Sequence, residues 1–291
     1  MPSIHDCKCV LVVGATSGIG RALALSILAL PTKPTVIVSG RRQERLYSLA
    51  QQHAGENRLK TLNMDVNADP ASLKVTVKDI VGQYPNIDAI IFSAGIQHQF
   101  DFTKPDSVDL DSQSSLQYIC APSSPSYCNT ELSSELNTNY TSIVSMITFF
   151  LPHLIQLGKQ GRPTFIYTVT SSLAIVPGAW VPNYCATKAA LHSLSLTLNA
   201  QLRDSNVHVV EIFPPLVESE LHDHQGVADT LSRFWMPLDE FTKLTMERLE
   251  NGDVQAPIGP SVRSSYEQFE EGKLDRVFQM YEGQKKQESR S

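Results

Sequence analysis

The sequence of 291 residues has no surplus of positive charge: 24 Lys and Arg stand against 30 Asp and Glu, a formal net charge of −6. That balance excludes a broad basic face for nucleic acid or an anionic membrane and leaves only local positive pockets. Cysteine is scarce too. Five thiols (Cys7, Cys9, Cys120, Cys128 and Cys185) are too few and too scattered for a disulfide scaffold, and their odd number leaves one unpaired. The close pair Cys7 and Cys9 has no His or Cys partners at zinc-ligand spacing and leads straight into an apolar run, so all five read as ordinary structural thiols. His222 and His224 likewise lack further ligands and read as polar surface. Residues 1–13 carry Asp6, Lys8 and a short apolar run, without a signal-peptide profile or the roughly 20 apolar residues that span a bilayer. The expectation is a cytoplasmic chain with no metal, no membrane partner and no internal repeat.

What is present is a rhythm. With 42% hydrophobic residues the chain can bury a large core. Short β-rich apolar runs at Cys9–Val13, Thr35–Ser39, Arg58–Met64, Asp88–Ser93, Thr164–Thr170, Val207–Phe213 and Val254–Ile258 alternate with helical patterns. The helices are expected near Gly18–Leu30, Gln43–His53, Pro70–Gln83, Glu131–Leu157, Pro182–Asp204 and Leu238–Asn251. Alternation of this kind predicts an α/β fold, a doubly wound, seven-stranded parallel sheet with helices on both faces. No domain boundary interrupts residues 1–260. Residues 97–130, rich in Ser, Asp, Gln and Pro, read as an irregular insertion, and residues 261–291 as a polar tail with one amphipathic helix around Tyr266–Tyr281 and frayed ends from Gln284.

Two passages carry chemistry. The first is Val13-Gly14-Ala15-Thr16-Ser17-Gly18-Ile19-Gly20, which follows a buried strand and opens a helix. Glycines there let the backbone turn sharply against a pyrophosphate, and the helix N-terminus favours the anion. The end of the second strand reads Ser39-Gly40-Arg41-Arg42. A carboxylate at that place would hold the ribose hydroxyl of NAD, whereas a neutral residue followed by Arg accommodates the phosphate of NADP. The second passage is Tyr184-Cys185-Ala186-Thr187-Lys188, in which residues four apart share a helix face, so a phenol and an ammonium converge. A neighbouring cation stabilises a phenolate and brings it toward acid/base use.

The spacing G-x-x-x-G-x-G together with Y-x-x-x-K resembles the short-chain dehydrogenase/reductase family, with Val13 in place of a family Thr. That resemblance implies a Rossmann-type, NADP(H)-dependent oxidoreductase interconverting a carbonyl and an alcohol on a small, apolar substrate. It implies a catalytic set of Asn139, Ser171, Tyr184 and Lys188, with Ser172 and Asn137 as neighbouring alternatives. Tyr184 exchanges the proton, Lys188 lowers the phenol pKa and holds the ribose, Ser171 polarises the carbonyl and Asn139 supports a relay water. The cofactor seat implied by the motifs comprises Gly14, Thr16, Ser17, Gly18, Ile19, Gly20, Arg41, Arg42, Asp65, Val66, Ala94, Gly95, Tyr184, Lys188, Pro214, Val217 and Ser219. Phe92-Ser93-Ala94-Gly95 stands where the family has Asn-Asn-Ala-Gly, and Pro214-Pro215-Leu216-Val217-Glu218-Ser219 where it has Pro-Gly-x-Val-x-Thr. Substrate choice falls to residues 97–130, 173–183 and 217–235. The family also commonly forms homodimers or homotetramers through the two long helices. A non-catalytic NADP(H)-binding redox regulator is the alternative from another class.

Overall fold

A computed structural model describes residues 1–108, 131–221 and 231–288. Seven strands form one sheet: β1 (Cys9–Val13), β2 (Thr35–Gly40), β3 (Leu59–Asn63), β4 (Ala89–Phe92), β5 (Thr164–Val169), β6 (Val207–Phe213) and β7 (Gln255–Pro257). Their order is β3-β2-β1-β4-β5-β6-β7, and every pairing is parallel. All five residues of β1 are buried, as expected of a central strand covered on both faces. The order reverses beside β1, whose two neighbours are β2 and β4, and a crevice opens there at the carboxyl ends of the strands.

The helices α1 (Gly18–Leu28), α2 (Gln43–Gln52), α3 (Pro70–Gln83), α4 (Glu131–Leu136), α5 (Ser142–Lys159), α6 (Pro182–Leu202) and α7 (Leu238–Asn251) cover the sheet. Two buried clusters result, one around Val12, Leu23, Tyr167 and Phe241, the other around Leu11, Phe92, Phe150 and Leu191. Helix starts follow local chemistry: Asp69 accepts from the Ala71 and Ser72 amides at 3.0 Å, ahead of Pro70, whose missing N–H costs nothing in a first turn.

Three expectations change. The single helix predicted over residues 131–157 is divided by a π-turn at Asn137–Thr141, an irregularity that periodicity alone does not encode. The tail holds two helices rather than one, α8 (Pro260–Phe269) and α9 (Lys273–Glu288), because Gly272 at φ +79° turns the chain between them. The tail is also not frayed at Gln284; α9 continues to Glu288 and lies along α6, with the Arg203 guanidinium 4.9 Å from the Phe278 ring centroid and Lys285 3.1 Å from Asp204.

Candidate active site

The crevice is a cavity of about 690 Å³ lined from the β1–α1 turn to the first turns of α6. At its outer end Gly14 adopts φ +85°, and a Cβ there would lie 2.5 Å from the Ala94 amide nitrogen, so no side chain fits. The turn is pinned by the Gly14 and Ala15 amides, which donate to the Ser39 carbonyl at 3.0 and 2.8 Å. With the loop tied to β2 in this way, the hydroxyl lost at Val13 is not needed to hold it. Thr16, Ser17, Gly18, Ile19 and Gly20 line the same wall, and Ser219 approaches from the far side, its Cβ 3.4 Å from where a Cβ on Gly18 would stand. A narrow cradle closed to side chains and set at a helix N-terminus fits the pyrophosphate of a dinucleotide.

At the second-strand end, Ser39 faces the core, fully buried, and donates its hydroxyl to the Val12 carbonyl at 3.2 Å. Gly40, not Ser39, lines the cavity beside Arg41 and Arg42. The two arginines differ. Arg42 donates to the Thr16 hydroxyl at 2.8 and 3.0 Å, to Ser17 at 2.6 Å and to Glu220 at 2.7 Å, and Arg45 meets the same carboxylate. Arg41 extends into solvent, 3.9 Å from Asp65. Asp65 is exposed and outside the cavity lining, accepting from the Asn67 amide at 3.0 Å, while Val66 and Met64 form the wall.

At the inner end, Tyr184 and Lys188 lie on one face of α6, with the Lys188 Nζ 5.6 Å from the phenol ring centroid. The ammonium donates to the Val169 carbonyl at 2.8 Å. Ser171, buried at the end of β5, caps the following turn by accepting from the Leu173 amide, and its hydroxyl tempers the rise of the Tyr184 phenol pKa. Ser172 also lines the cavity, but it is Ser171 whose hydroxyl acts on the phenol pKa. Asn139 is fully buried in the π-turn, where its Oδ1 accepts from the Ile96 amide at 2.9 Å and its Nδ2 donates to the Ile96 carbonyl at 2.9 Å and the Thr187 hydroxyl at 3.1 Å. Asn137 points elsewhere, donating to Asn67 at 3.0 Å. Gly95 leaves room beside this group: a Cβ there would sit 3.4 Å from Asn139 Oδ1 and 3.7 Å from Lys188 Nζ. Pro214 accepts the Ser172 amide, and Val217 bridges to Met236.

Burial sets the ionisation of the pair. It pushes the Tyr184 phenol well above its ordinary value, opposed by the Ser171 hydrogen bond, and pulls Lys188 down to about 8, opposed by the charge of Glu135. The Lys188 ammonium is turned to the Val169 carbonyl here, and burial dominates the phenol. Motif reading also missed Glu135 and Glu220, which no family pattern marks; a carboxylate placed four residues before Asn139 was the available signal for the first. Cys7, Cys9 and Cys185 are buried and free, whereas Cys120, Cys128, His222 and His224 lie outside the described residues.

A family model for short chain dehydrogenases matches residues 8–228. Among curated proteins, an uncharacterized oxidoreductase, DltE, of Bacillus subtilis is 33% identical over 244 residues, 84% of each chain. An NADP-dependent 3-hydroxy acid dehydrogenase of Schizosaccharomyces pombe is 24% identical over 239 residues, 80% of this chain and 82% of that one. The fold is similar to a short-chain dehydrogenase from Sphingobium yanoikuyae in complex with NADPH (TM-score 0.69, 21% identity, 88% and 91% of the two chains). It is similar as well to one from Burkholderia phymatum in complex with NAD (TM-score 0.71, 16% identity, 91% and 93%).

Proposed function

This chain belongs to the short-chain dehydrogenase/reductase family of oxidoreductases, and from that premise we propose that it is an NADP(H)-dependent carbonyl reductase acting on a small, neutral, largely apolar ketone or aldehyde, with the alcohol oxidation as the reverse. The observation that carries the reading is the convergence of Tyr184, Lys188 and Ser171 on the inner end of a cavity, with Asn139 buried behind Gly95, while the outer end is a glycine-built phosphate cradle. Gly14 to Gly20, Ala94, Gly95 and Lys188 would hold a nicotinamide cofactor, which would supply the hydride. The Tyr184 hydroxyl gives its proton to the carbonyl oxygen, Ser171 donates to the same oxygen as charge develops, and Asn139 keeps the Gly95–Ile96 backbone against α6. Localisation in the cytoplasm and assembly through α5 and α6 as a homodimer or homotetramer complete the proposal.

Substrate charge follows from the wall. The only cations among the described lining residues are Lys188, Arg41 and Arg42, and the substrate end is formed by Gln97, Gln99, Leu173, Trp180, Leu216 and Leu221. An anion placed there would lose water without a dedicated counter-charge among the described residues. NADPH oxidation should therefore be seen with neutral ketones or aldehydes, at roughly tenfold or greater kcat/KM over 3-oxo acids of similar size. Tight NADPH binding with no turnover across such a panel would instead indicate the redox regulator.

Cofactor preference is assigned to NADPH on the two arginines. A guanidinium contact to a 2′-phosphate is worth about 1.5–3 kcal/mol, so Arg41→Ala/Arg42→Ala should raise the NADPH Kd roughly ten- to hundredfold relative to NADH. Arg42 also braces Thr16 and Ser17, so a part of any loss common to both cofactors reports the loop rather than the phosphate. Equal wild-type affinity for NADH and NADPH in calorimetry overturns the assignment.

A further inference from the structure

Glu135 is fully buried on α4, a rare fate for a carboxylate, which burial penalises unless it is hydrogen-bonded and paired. Its Oε1 accepts from the His98 amide at 2.9 Å, and its Oε2 accepts a short hydrogen bond from Asn183 Nδ2. Asn183 donates as well to the Leu132 carbonyl at 3.3 Å and immediately precedes Tyr184. The carboxylate thus ties together three segments: the stretch after β4 that carries Gly95, helix α4, and the first turn of α6. One turn on, Asn139 makes the same junction through Ile96 and Thr187. Residues 135 and 139 are four apart, on one side of the helix.

The charged and titratable groups facing Glu135 are Glu131 on its own helix, Lys188, Tyr184 and Cys185 on α6, and His98 in the segment after β4, whose ring is 3.7 Å from Glu131. Lys188 is the cation of this set. Among the described residues, Glu135 is the carboxylate whose charge reaches it.

We propose that Glu135 is a positioning residue for the reaction, anchoring Asn183 so that Tyr184 and Lys188 face the cavity, and serving as the counter-charge that keeps Lys188 an ammonium. The proposal rests on the catalytic reading of Tyr184 and Lys188. Its electrostatic half has a definite sign. A negative charge stabilises the protonated form of both neighbours, so it opposes the desolvation that takes Lys188 to about 8 and works against the Tyr184 phenolate. Burial raises Glu135 itself above the ordinary carboxylate range, so the coupling fades on the acid side as Glu135 takes up its proton.

The test is the pH profile of kcat for carbonyl reduction by the full chain with NADPH, in wild type, Glu135→Gln, Glu135→Asp and Asn183→Ala. With the charge removed, both α6 groups release protons more readily. The basic limb of Glu135→Gln should then move about one pH unit lower, with the NADPH Kd within about threefold of wild type as expected for an effect on chemistry rather than cofactor affinity. Glu135→Asp, which keeps the charge, should return the limb toward the wild-type position. Asn183→Ala should lower kcat at every pH without moving the limb, and it reads the anchoring half should Glu135→Gln fail to fold. A uniform fall in kcat with an unmoved limb in Glu135→Gln overturns the counter-charge, and wild-type kcat in Asn183→Ala overturns the anchor. Failure of the underlying reading looks different: turnover would then survive Tyr184→Phe.

Discussion

Tyr184→Phe is expected to lower kcat/KM for carbonyl reduction by about 10²- to 10⁴-fold, the range for removing a positioned general acid. The substitution deletes one oxygen atom from a side chain that is 7% exposed and leaves the ring packed beside Val181 and Cys185, so the fold has little to lose. The lost hydroxyl matters where the substrate oxygen gains charge, not where the cofactor binds. NADPH affinity should stay within about threefold of wild type, which separates a transition-state role from a binding role. Stopped-flow measurement of NADPH oxidation alongside a direct binding titration reads both quantities. Near-normal turnover would remove Tyr184 from the mechanism and leave the cavity with no described proton donor of comparable placement.

The second large effect concerns the fold behind the site. His192 continues the Tyr184–Lys188 face by another four residues of α6 and is buried between two carboxylates, with its Nδ1 2.9 Å from Glu211 on β6 and its Nε2 2.9 Å from Glu270 at the end of α8. Lys273 meets the other oxygen of Glu270 at 2.5 Å. His192→Leu removes the bridging group and leaves two buried carboxylates facing an apolar side chain. Breaking a buried ionic set in this way costs about 3–5 kcal/mol, a fall in Tm of roughly 5–8 °C for a chain of this size. An unchanged Tm would mean that the tail is held by other contacts, such as Tyr266 with Gln255.

This cluster also gives a pH dependence. Burial works against the charged imidazole, but the hydrogen bonds and charges of Glu211 and Glu270 outweigh it and raise the His192 pKa. Burial has the opposite effect on Glu211, raising its pKa against the pull of His192. In both cases the folded state holds its proton more tightly than the unfolded chain. The stabilisation from His192 is therefore fully present below its unfolded value near 6.5 and is lost as pH rises through the higher folded value. Wild-type Tm should decline on that alkaline side more steeply than the Tm of His192→Leu, a comparison that scanning calorimetry makes directly.

Much of this architecture is local and can be read along the chain. A Pro70 after Asp69 starts a helix, and five consecutive apolar residues between turn signals make a buried strand. Tyr184 and Lys188 must share a face because a helix repeats every 3.6 residues. The glycines of residues 14–20 are recognisable because their backbone requirement belongs to the turn itself. The π-turn at Asn137–Thr141 was not legible: its Asn137 and Thr138 side chains pair with Asn67, about 70 residues earlier, a contact that no local pattern announces. The break between α8 and α9 was missed for a different reason: a lone glycine in a polar amphipathic stretch is compatible with either one helix or two.

The sequence by itself determined the strand-and-helix alternation, the phosphate turn, the order of the motifs and the pairing of a phenol with an ammonium. All are properties of residues within a few positions of one another, where backbone geometry fixes what can meet. Only the tertiary structure decided that Ser171 rather than Ser172 acts on the phenol pKa, that Asn139 rather than Asn137 turns inward, and that Arg42 is braced by Thr16 and Glu220 while Arg41 reaches outward. It alone brought Glu135 to Lys188 and His192 to Glu270. Most of those contacts join residues 26 to 178 positions apart, and no helical or strand period reaches that far. They exist because the parallel sheet delivers the carboxyl ends of its strands to one edge, where side chains chosen in separate segments share the same small volume and the same low dielectric.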